Sequence, residues 1–340
     1  MKYIRLLLLP FSALYSLIIR MRHFLYDKGI LKSREFDFPV ICVGNLSLGG
    51  TGKSPMIEFL MRQLKENYQI ATLSRGYKRK TSGFVELRSE SLAADVGDEP
   101  LQFKTNFPNQ IIAVDESRVN GIEQLKKIYP RLDAVLLDDA FQHRKVKAGF
   151  NILLTTFDNL YFDDFLLPAG NLRDSVVAAK RADIIIVTKC PSKLSEKQRN
   201  EIQNRLKPKK HQQVFFSKIN YDDNIYSLKK EISLSEIDDF ILVTGIAKPK
   251  PLIDYLNKIN TNFEHQKFPD HHHFTENEIE DIKNKKKKIL TTTKDFMRLK
   301  SYFKDGELYH LPIKSDFFEQ EKEIMKSITE FMNSFLASNQ

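Results

Sequence analysis

Lys53 and Ser54 close the run Ser47-Leu48-Gly49-Gly50-Thr51-Gly52-Lys53-Ser54, whose residue types suit a nucleoside triphosphate. Glycines let backbone N–H groups approach phosphate oxygens. A lysine at the end of such a loop reaches the β- and γ-phosphates, and the hydroxyl after it can ligate Mg²⁺. The strict pattern has another glycine with four residues between it and the Gly-Lys pair, and Ser47 stands there. Carboxylates supply the next chemistry. Leu136-Leu137-Asp138-Asp139 is an apolar run ending in two acids, the form of a strand that holds Mg²⁺ directly or through water. It lies about 85 residues beyond the lysine, and either acid could instead be a turn or cap residue. Gln142, His143 and Arg144 follow and can orient a phosphate or a substrate. Gly97-Asp98-Glu99-Pro100 is a compact acidic turn. A carboxylate there can accept a hydroxyl proton during attack on a γ-phosphate, although an Asp before proline is commonly a turn former. Asp270-His271-His272-His273 offers imidazoles without complementary Cys or His spacing. The expectation there is one functional histidine on a loop, or a solvated polar turn, rather than a metal cluster.

These groups need a scaffold, and the apolar pattern predicts one. Pro39-Val40-Ile41-Cys42-Val43-Gly44 reads as a strand before the glycine-rich turn, and residues 56–65 read as the helix after it. Pro55 fits the first turn of that helix. Further strands are predicted at 69–74, 111–114, 133–139, 151–156 and 183–189, with a helix over 118–128. The strand at 69–74 runs into the basic turn Arg75-Gly76-Tyr77-Lys78-Arg79. Continuous apolar strands alternating with helices predict an α/β fold: a P-loop NTPase-like, mostly parallel sheet with helices on both faces. Ligands in such sheets sit at the carboxyl ends of the strands, where the phosphate loop and the acids fall. A second series begins at 240–245, includes 288–292 and ends near 311–313. The expected division is an N-terminal membrane-associated helix (1–30), a kinase core (31–212), an extended linker (213–235) and a smaller α/β domain (236–340) closing over the site. The lysine-rich run 283–288 reads as a solvated face.

Composition narrows the partners. The chain has 340 residues and a formal net charge of +9, which favours an anionic partner such as a nucleotide or a phospholipid surface. No nucleic-acid-binding motif stands out, so none is expected as a partner. Cys42 and Cys190 lie in apolar runs and read as buried thiols of a reducing compartment. Residues 6–19 form an apolar stretch flanked by Arg5, Arg20, Arg22 and His23. It falls short of the roughly 20 residues a spanning helix needs, and no clear cleavage site follows it. It reads as a helix lying in a membrane interface, the alternative being a helix packed on the protein's own core.

Taken together, the blocks resemble the tetraacyldisaccharide 4'-kinase family of lipid A biosynthesis. They are Val43-Gly44-Asn45 with the loop through Pro55, Leu73-Ser74-Arg75-Gly76-Tyr77, Gly97-Asp98-Glu99-Pro100 and Asp138-Asp139-Ala140-Phe141-Gln142-His143. Leu167-Pro168-Ala169-Gly170-Asn171-Leu172-Arg173, Gly245-Ile246-Ala247, Asp270-His271 and Thr293-Lys294-Asp295 continue the series. Ala140 stands where Gly is usual in the family, and Thr293 where Glu is usual. The resemblance implies transfer of the ATP γ-phosphate, with Mg²⁺, to the 4'-hydroxyl of an acylated disaccharide 1-phosphate lipid, giving lipid IVA. It implies a peripheral or monotopic enzyme, expected as a monomer, on the cytoplasmic face of the inner membrane. By the same resemblance Asp98 is the base and His271 its partner, which either relays a proton or orients Asp98. Lys53 and Ser54 hold phosphate and metal, and Glu99, Asp138 and Asp139 surround the metal. Arg75, Gln142, His143 and Arg173 are phosphate or substrate contacts.

Two other functions fit parts of the sequence. One is a membrane-positioning ATPase switch, but such proteins usually carry a lysine before the paired glycines, where Leu48 stands. The other is a soluble small-molecule kinase, against which the apolar N-terminal stretch counts.

Overall fold

The fold was obtained as a computed structural model and is described for residues 5–259, 262–270 and 272–338. His271 lies outside the described residues. The chain opens with α1 (Leu9–Asp27) and then builds β1 (Val40–Asn45), α2 (Lys53–Leu64), β2 (Ile70–Ser74), β3 (Val85–Glu86), α3 (Ala93–Val96) and α4 (Asp98–Asn106). β4 (Ile111–Val114), α5 (Arg118–Ile128), β5 (Ala134–Asp138), β6 (Phe150–Thr156), β7 (Ile184–Thr188), α6 (Glu196–Leu206) and β8 (Gln213–Phe216) follow. Among the described residues these strands form a sheet in the order β3-β4-β2-β5-β1-β6-β7-β8, parallel except for β3 at one edge. β1, β2, β5 and β7 are buried along their whole length. Helices cover both faces of a parallel sheet, so its central strands read as unbroken apolar runs.

The second half adds β9 (Lys218–Tyr221), β10 (Asn224–Tyr226), β11 (Glu231–Ser233), β12 (Phe240–Thr244), α7 (Lys250–Lys258), β13 (Phe263–Lys267) and α8 (Glu276–Asn284). It ends with β14 (Ile289–Thr292), α9 (Thr293–Leu299), β15 (Leu308–Leu311), β16 (Ile313–Asp316) and α10 (Glu321–Ser338). A second sheet runs β11-β10-β15-β14-β12-β13, parallel through β15-β14-β12-β13. Among the described residues β9 pairs only with β16, as a separate antiparallel ribbon.

The segment 213–235 is not one extended connector. Its first residues form β8, the edge strand beside β7, and its later ones form β10 and β11 of the second sheet. The C-terminal helix also returns to the first sheet. Phe331 of α10 packs on Phe150 with ring centroids 5.3 Å apart, and Phe317 packs on Phe59 of α2 at 4.6 Å. One apolar cluster runs from Ile57 and Leu60 through Phe103 to Phe296, Met297 and Val243, so the two sheets share buried side chains.

α1 is amphipathic with the apolar face outward. It docks through polar groups: Ser12 Oγ donates to the Leu166 carbonyl at 2.9 Å, Tyr15 donates to the Arg173 carbonyl at 3.1 Å, and Arg22 donates to the Gln142 carbonyl at 3.0 Å. His23 Nε2 lies 2.6 Å from Asp174 Oδ1. Ile19 is the buried apolar residue of this helix, while Phe11, Leu14, Leu17, Ile18, Met21 and Phe24 are exposed. The helix therefore does not bury its apolar stripe in the protein's core. No helix among the described residues is long and apolar enough to cross a membrane.

Candidate active site

The glycine-rich loop leaves the carboxyl end of β1 and enters α2 at Lys53. Gly49 and Gly52 hold φ near +100° and +89°, a backbone region that glycine adopts without strain. The segment 171–173 braces the loop from outside. Leu48 N–H donates to the Asn171 carbonyl at 2.7 Å, Arg173 N–H donates to the Leu46 carbonyl at 2.8 Å, and Ser47 bridges Leu172. Asn45 donates to the Ser47 carbonyl at 2.7 Å from inside. Leu48 itself is exposed, whereas Thr51 and Ser54 are buried. The loop amides and the N-terminus of α2 together form an anion-binding cradle.

Acidic groups arrive from two directions. β5 ends in Asp138, and Asp139 follows it in a left-handed conformation with φ near +49°. α4 begins with Asp98 and Glu99, two acids in its first turn, where the helix dipole favours negative charge. Ser54 Oγ donates to Glu99 Oε1 at 3.1 Å, which joins the phosphate loop to α4. One helical turn further on, Gln102 and Asn106 both donate to the buried Glu58 of α2, at 2.7 and 2.9 Å. Burial pushes the Glu58 carboxyl up, against the opposing effect of these amides. This polar seam fixes Asp98 and Glu99 relative to Lys53.

The two neighbouring aspartates are in different states. Asp139 faces cations: Arg173 donates to both its carboxylate oxygens, through Nη1 at 3.0 Å and through Nη2, and Lys53 Nζ lies 3.7 Å from Oδ2. Burial would raise its pKa, but Lys53 and Arg173 outweigh that and hold it low. Asp138 is buried and accepts from Ser74 Oγ at 3.0 Å on one oxygen, while its Oδ1 has no partner. Burial, then the charges of Glu99 and Asp139, push its carboxyl up. Glu99 is held down despite burial, chiefly by the nearby Lys294.

The sequence-predicted residues therefore separate by position. Lys53, Ser54, Glu99, Asp138 and Asp139 lie together at the loop. Asp98 adjoins them on α4. Arg173 meets the site through Asp139 and through Asn45, to which its Nη2 also donates. Gln142 donates to the Asn45 carbonyl at 2.7 Å, behind the loop. His143 is half-buried, with Nε2 unpartnered. Burial and then Arg118, Lys145, Arg75 and Arg22 lower its pKa to about 4, so it is a neutral imidazole amid cations. Arg75 is exposed on the turn after β2.

Two residues of α9 also join the site. Lys294 Nζ donates to Glu99 Oε1 at 2.8 Å, and Arg298 donates to Asp98. Lys294 stood inside a recognised block, but nothing in the sequence signalled its partner. The N-terminus of α9 is fixed by Asp295, whose Oδ2 accepts from Gly245 N–H at 2.9 Å and from Thr292 Oγ1 at 2.8 Å. Thr293 bonds His310 Nδ1 at 3.1 Å. In the triple-histidine segment, His272 pairs with Glu278 at 2.9 Å, next to the N-terminus of α8.

Among the described residues no three His, Cys, Asp or Glu side chains converge tightly enough to cage a metal. A Mg²⁺ site of the phosphate-sharing kind needs less, one or two carboxylates and a hydroxyl beside the phosphates. The unpartnered, buried Asp138 Oδ1 and the Ser54–Glu99 pair fit that donor set.

The family described as tetraacyldisaccharide-1-P 4'-kinase matches residues 4–333. A tetraacyldisaccharide 4'-kinase of Flavobacterium johnsoniae is 52% identical over 340 residues, covering 99% of each chain. One of Flavobacterium psychrophilum is 50% identical, covering 98% of each, and one of Bacteroides thetaiotaomicron is 43% identical, covering 93% of this chain and 90% of its own. Among solved structures, LpxK from Aquifex aeolicus in complex with ATP superposes with a TM-score of 0.79 at 29% identity, covering 97% of this chain and 99% of that one.

Proposed function

The chain belongs to the tetraacyldisaccharide 4'-kinase family, and on that premise we propose how its residues carry the reaction. It is an ATP-dependent kinase of lipid A biosynthesis, acting on tetraacyldisaccharide 1-phosphate. The transferred group is the γ-phosphate, the acceptor is the 4'-hydroxyl, and the product is lipid IVA. The observation that carries the reading is the meeting of Lys53 and Ser54 with the acids of β5 and α4 at one end of the first sheet. The family assignment leaves the ATPase switch and the soluble small-molecule kinase without support.

The loop amides from Gly49 to Ser54 and the Lys53 ammonium bind the β- and γ-phosphates. Ser54, Glu99 and Asp138 would hold Mg²⁺, Asp138 offering an unpartnered carboxylate oxygen whereas Asp139 is engaged by Arg173 and Lys53. The ion, when bound, neutralises charge building on the phosphate oxygens. Arg173 acts as a positioning residue through Asp139. Asp98 accepts the proton of the attacking hydroxyl, and His271, assigned by resemblance alone, assists it. Arg75 and His143 are assigned by the same resemblance to phosphate or substrate contact.

The acylated acceptor stays in a bilayer, so the enzyme goes to it. The outward apolar face of α1 seats in the cytoplasmic face of the inner membrane, with the exposed Arg20 toward anionic headgroups, while Arg22 holds the helix to the Gln142 carbonyl. The protein acts as a monomer. The two sheets are two lobes, and their closure on ATP shields the site from water.

The test is direct. Purified protein is incubated with γ-labelled ATP and tetraacyldisaccharide 1-phosphate in detergent, and label in the lipid is measured. Unlabelled lipid with ATP hydrolysis intact would sink the kinase reading. Lys53→Met and Asp98→Ala are each expected to lower transfer about 10²-fold or more.

A further inference from the structure

The end of β7 is tied to the phosphate loop. Thr188 Oγ1 bonds the Thr51 carbonyl at 2.8 Å and lies 3.1 Å from that of Thr155. Lys189 follows with φ near +57°, a left-handed conformation uncommon for a side-chain-bearing residue. Conformations of this kind collect at functional sites. Lys189 Nζ comes 3.8 Å from the point that a Cβ on Gly50 would occupy. The ammonium thus lies against the middle of the loop, where backbone N–H groups are arranged for phosphate.

Other lysines share this space. Lys189 is exposed as a whole, but loss of water around its ammonium lowers its pKa first, and the charges of Lys248, Lys294 and Lys53 add to that, with Asp158 opposing. Lys248 lies on the loop after β12 and Lys294 on α9, so two of these cations come from the second sheet. Lys53 has Asp139 as a counter-charge and Lys294 has Glu99. Among the described residues Lys189 forms no such ion pair. Lys189 beside Gly50 and Lys53 at the loop's end, with Lys248 and Lys294 close enough to act on Lys189, leave an excess of positive charge, which a polyanion corrects through charge-assisted hydrogen bonds.

We propose that Lys189 is a nucleotide-binding residue that holds a phosphate of the bound triphosphate from the β7 side of the loop, across from Lys53. Lys248 and Lys294 add positive charge near Lys189 from the second sheet. The proposal rests on the nucleotide-binding reading of the loop and adds a residue to it. It also gives a purpose to the left-handed turn at Lys189, whose ammonium lies beside Gly50.

Calorimetric titration of the full chain with ATP, in EDTA and again in Mg²⁺, tests this without reference to turnover. Adenosine, which has no phosphate, is the comparison ligand. Lys189→Met is expected to weaken ATP binding about tenfold, the loss of one charge-assisted bond, with adenosine binding unchanged. Lys189→Arg is expected to retain most of the affinity, and melting curves of both variants should match that of the unaltered protein. ATP affinity unchanged in Lys189→Met would overturn the assignment. So would equal losses for ATP and adenosine, which mark a role in shaping the site. Lys189→Gln provides the same readout if the methionine variant folds poorly. An unaltered protein that binds no ATP, or a Lys53→Met variant that binds it normally, would instead remove the nucleotide reading itself.

Discussion

Arg298 reaches from α9 to Asp98 at the start of α4. Its Nε donates to Asp98 Oδ2 at 2.9 Å, its Nη2 donates to the same oxygen, and its Nη1 donates to Asp295 Oδ1 at 3.3 Å. The residue proposed as the base is therefore held by the second sheet, although its helix belongs to the first. Asp98 Oδ1 accepts neither of these Arg298 bonds. Next to Arg298 in α9, Met297 Sδ accepts from Thr105 Oγ1, further along α4, at 3.5 Å and extends the same contact. The arrangement couples the posture of the base to the position of α9.

Arg298→Met should therefore do two things at once. It leaves the carboxylates of Asp98 and the buried Asp295 short of a cation, which costs about 1–3 kcal/mol as for other broken, partly buried pairs. It also frees α4 from α9, so turnover should fall. Urea denaturation and the lipid-labelling assay measure the two effects. Arg298→Lys should recover part of the stability but not the forked contact. Unchanged stability in the methionine variant would show that the contact holds nothing together.

Asp98→Asn separates charge from shape. The amide keeps the size of the carboxylate and can still accept from Arg298, so the fold should persist. It cannot take a proton. Transfer is expected to drop about 10²-fold or more, while the KM for ATP stays near its original value. A variant with a raised KM and an intact kcat would assign Asp98 to ground-state binding instead.

The pH dependence of stability should carry the signature of His310. The residue lies in the second sheet between Phe296, at 4.5 Å, and Tyr226, at 5.9 Å between ring centroids. Burial, with a smaller effect from Lys300, lowers its pKa from 6.5 to about 4. Above pH 6.5 the imidazole is neutral in both folded and unfolded chains and has no effect. As pH falls below 6.5 the unfolded chain takes up the proton first, so stability is lost down to about pH 4 and then levels off. The full loss is on the order of 3 kcal/mol. His310→Gln can still bond Thr293 and should flatten this part of the profile. His143, also lowered to about 4, adds a parallel loss that this variant leaves in place. Denaturation midpoints of the two proteins between pH 4 and 7.5 would test it, and parallel curves would remove His310 from the account.

The first sheet and the phosphate loop were legible because local sequence dictates both. Val135, Leu136 and Leu137 sit in a strand buried on both faces, and such strands announce themselves as apolar runs. Gly49 and Gly52 were legible because the turn needs their φ. The partners of Lys294 and Arg298 were not, because Glu99 and Asp98 lie about two hundred residues earlier and only tertiary packing joins them. Residues 213–216 read as a connector because a four-residue edge strand, half of it exposed or partly so, lacks the signature of β5. The engagement of Asp139 by Arg173 was equally hidden, since neighbouring acids look alike in sequence. Lys189 left one readable trace, a lysine directly after a buried strand at the ligand-binding end of the sheet.

The outward face of α1 makes the last prediction. Exposed leucines scattered singly mean little, but Leu14, Leu17, Ile18 and Met21 line one side of a helix whose other side is pinned by Ser12, Tyr15 and His23. A helix docked by polar bonds with its apolar side outward is inverted relative to a surface helix of a water-exposed protein. Replacing Leu14, Leu17 and Met21 with serine should leave melting almost unchanged, because none of them is buried in the fold. Each apolar side chain seated in lipid contributes roughly 1–2 kcal/mol, so the triple variant should bind vesicles of anionic phospholipid at least about a hundredfold more weakly. Vesicle co-sedimentation reads the binding, and activity on a detergent-dispersed acceptor should survive better than activity on acceptor embedded in vesicles. Equal binding by the unaltered and triple-serine proteins would mean that this face meets something other than a bilayer.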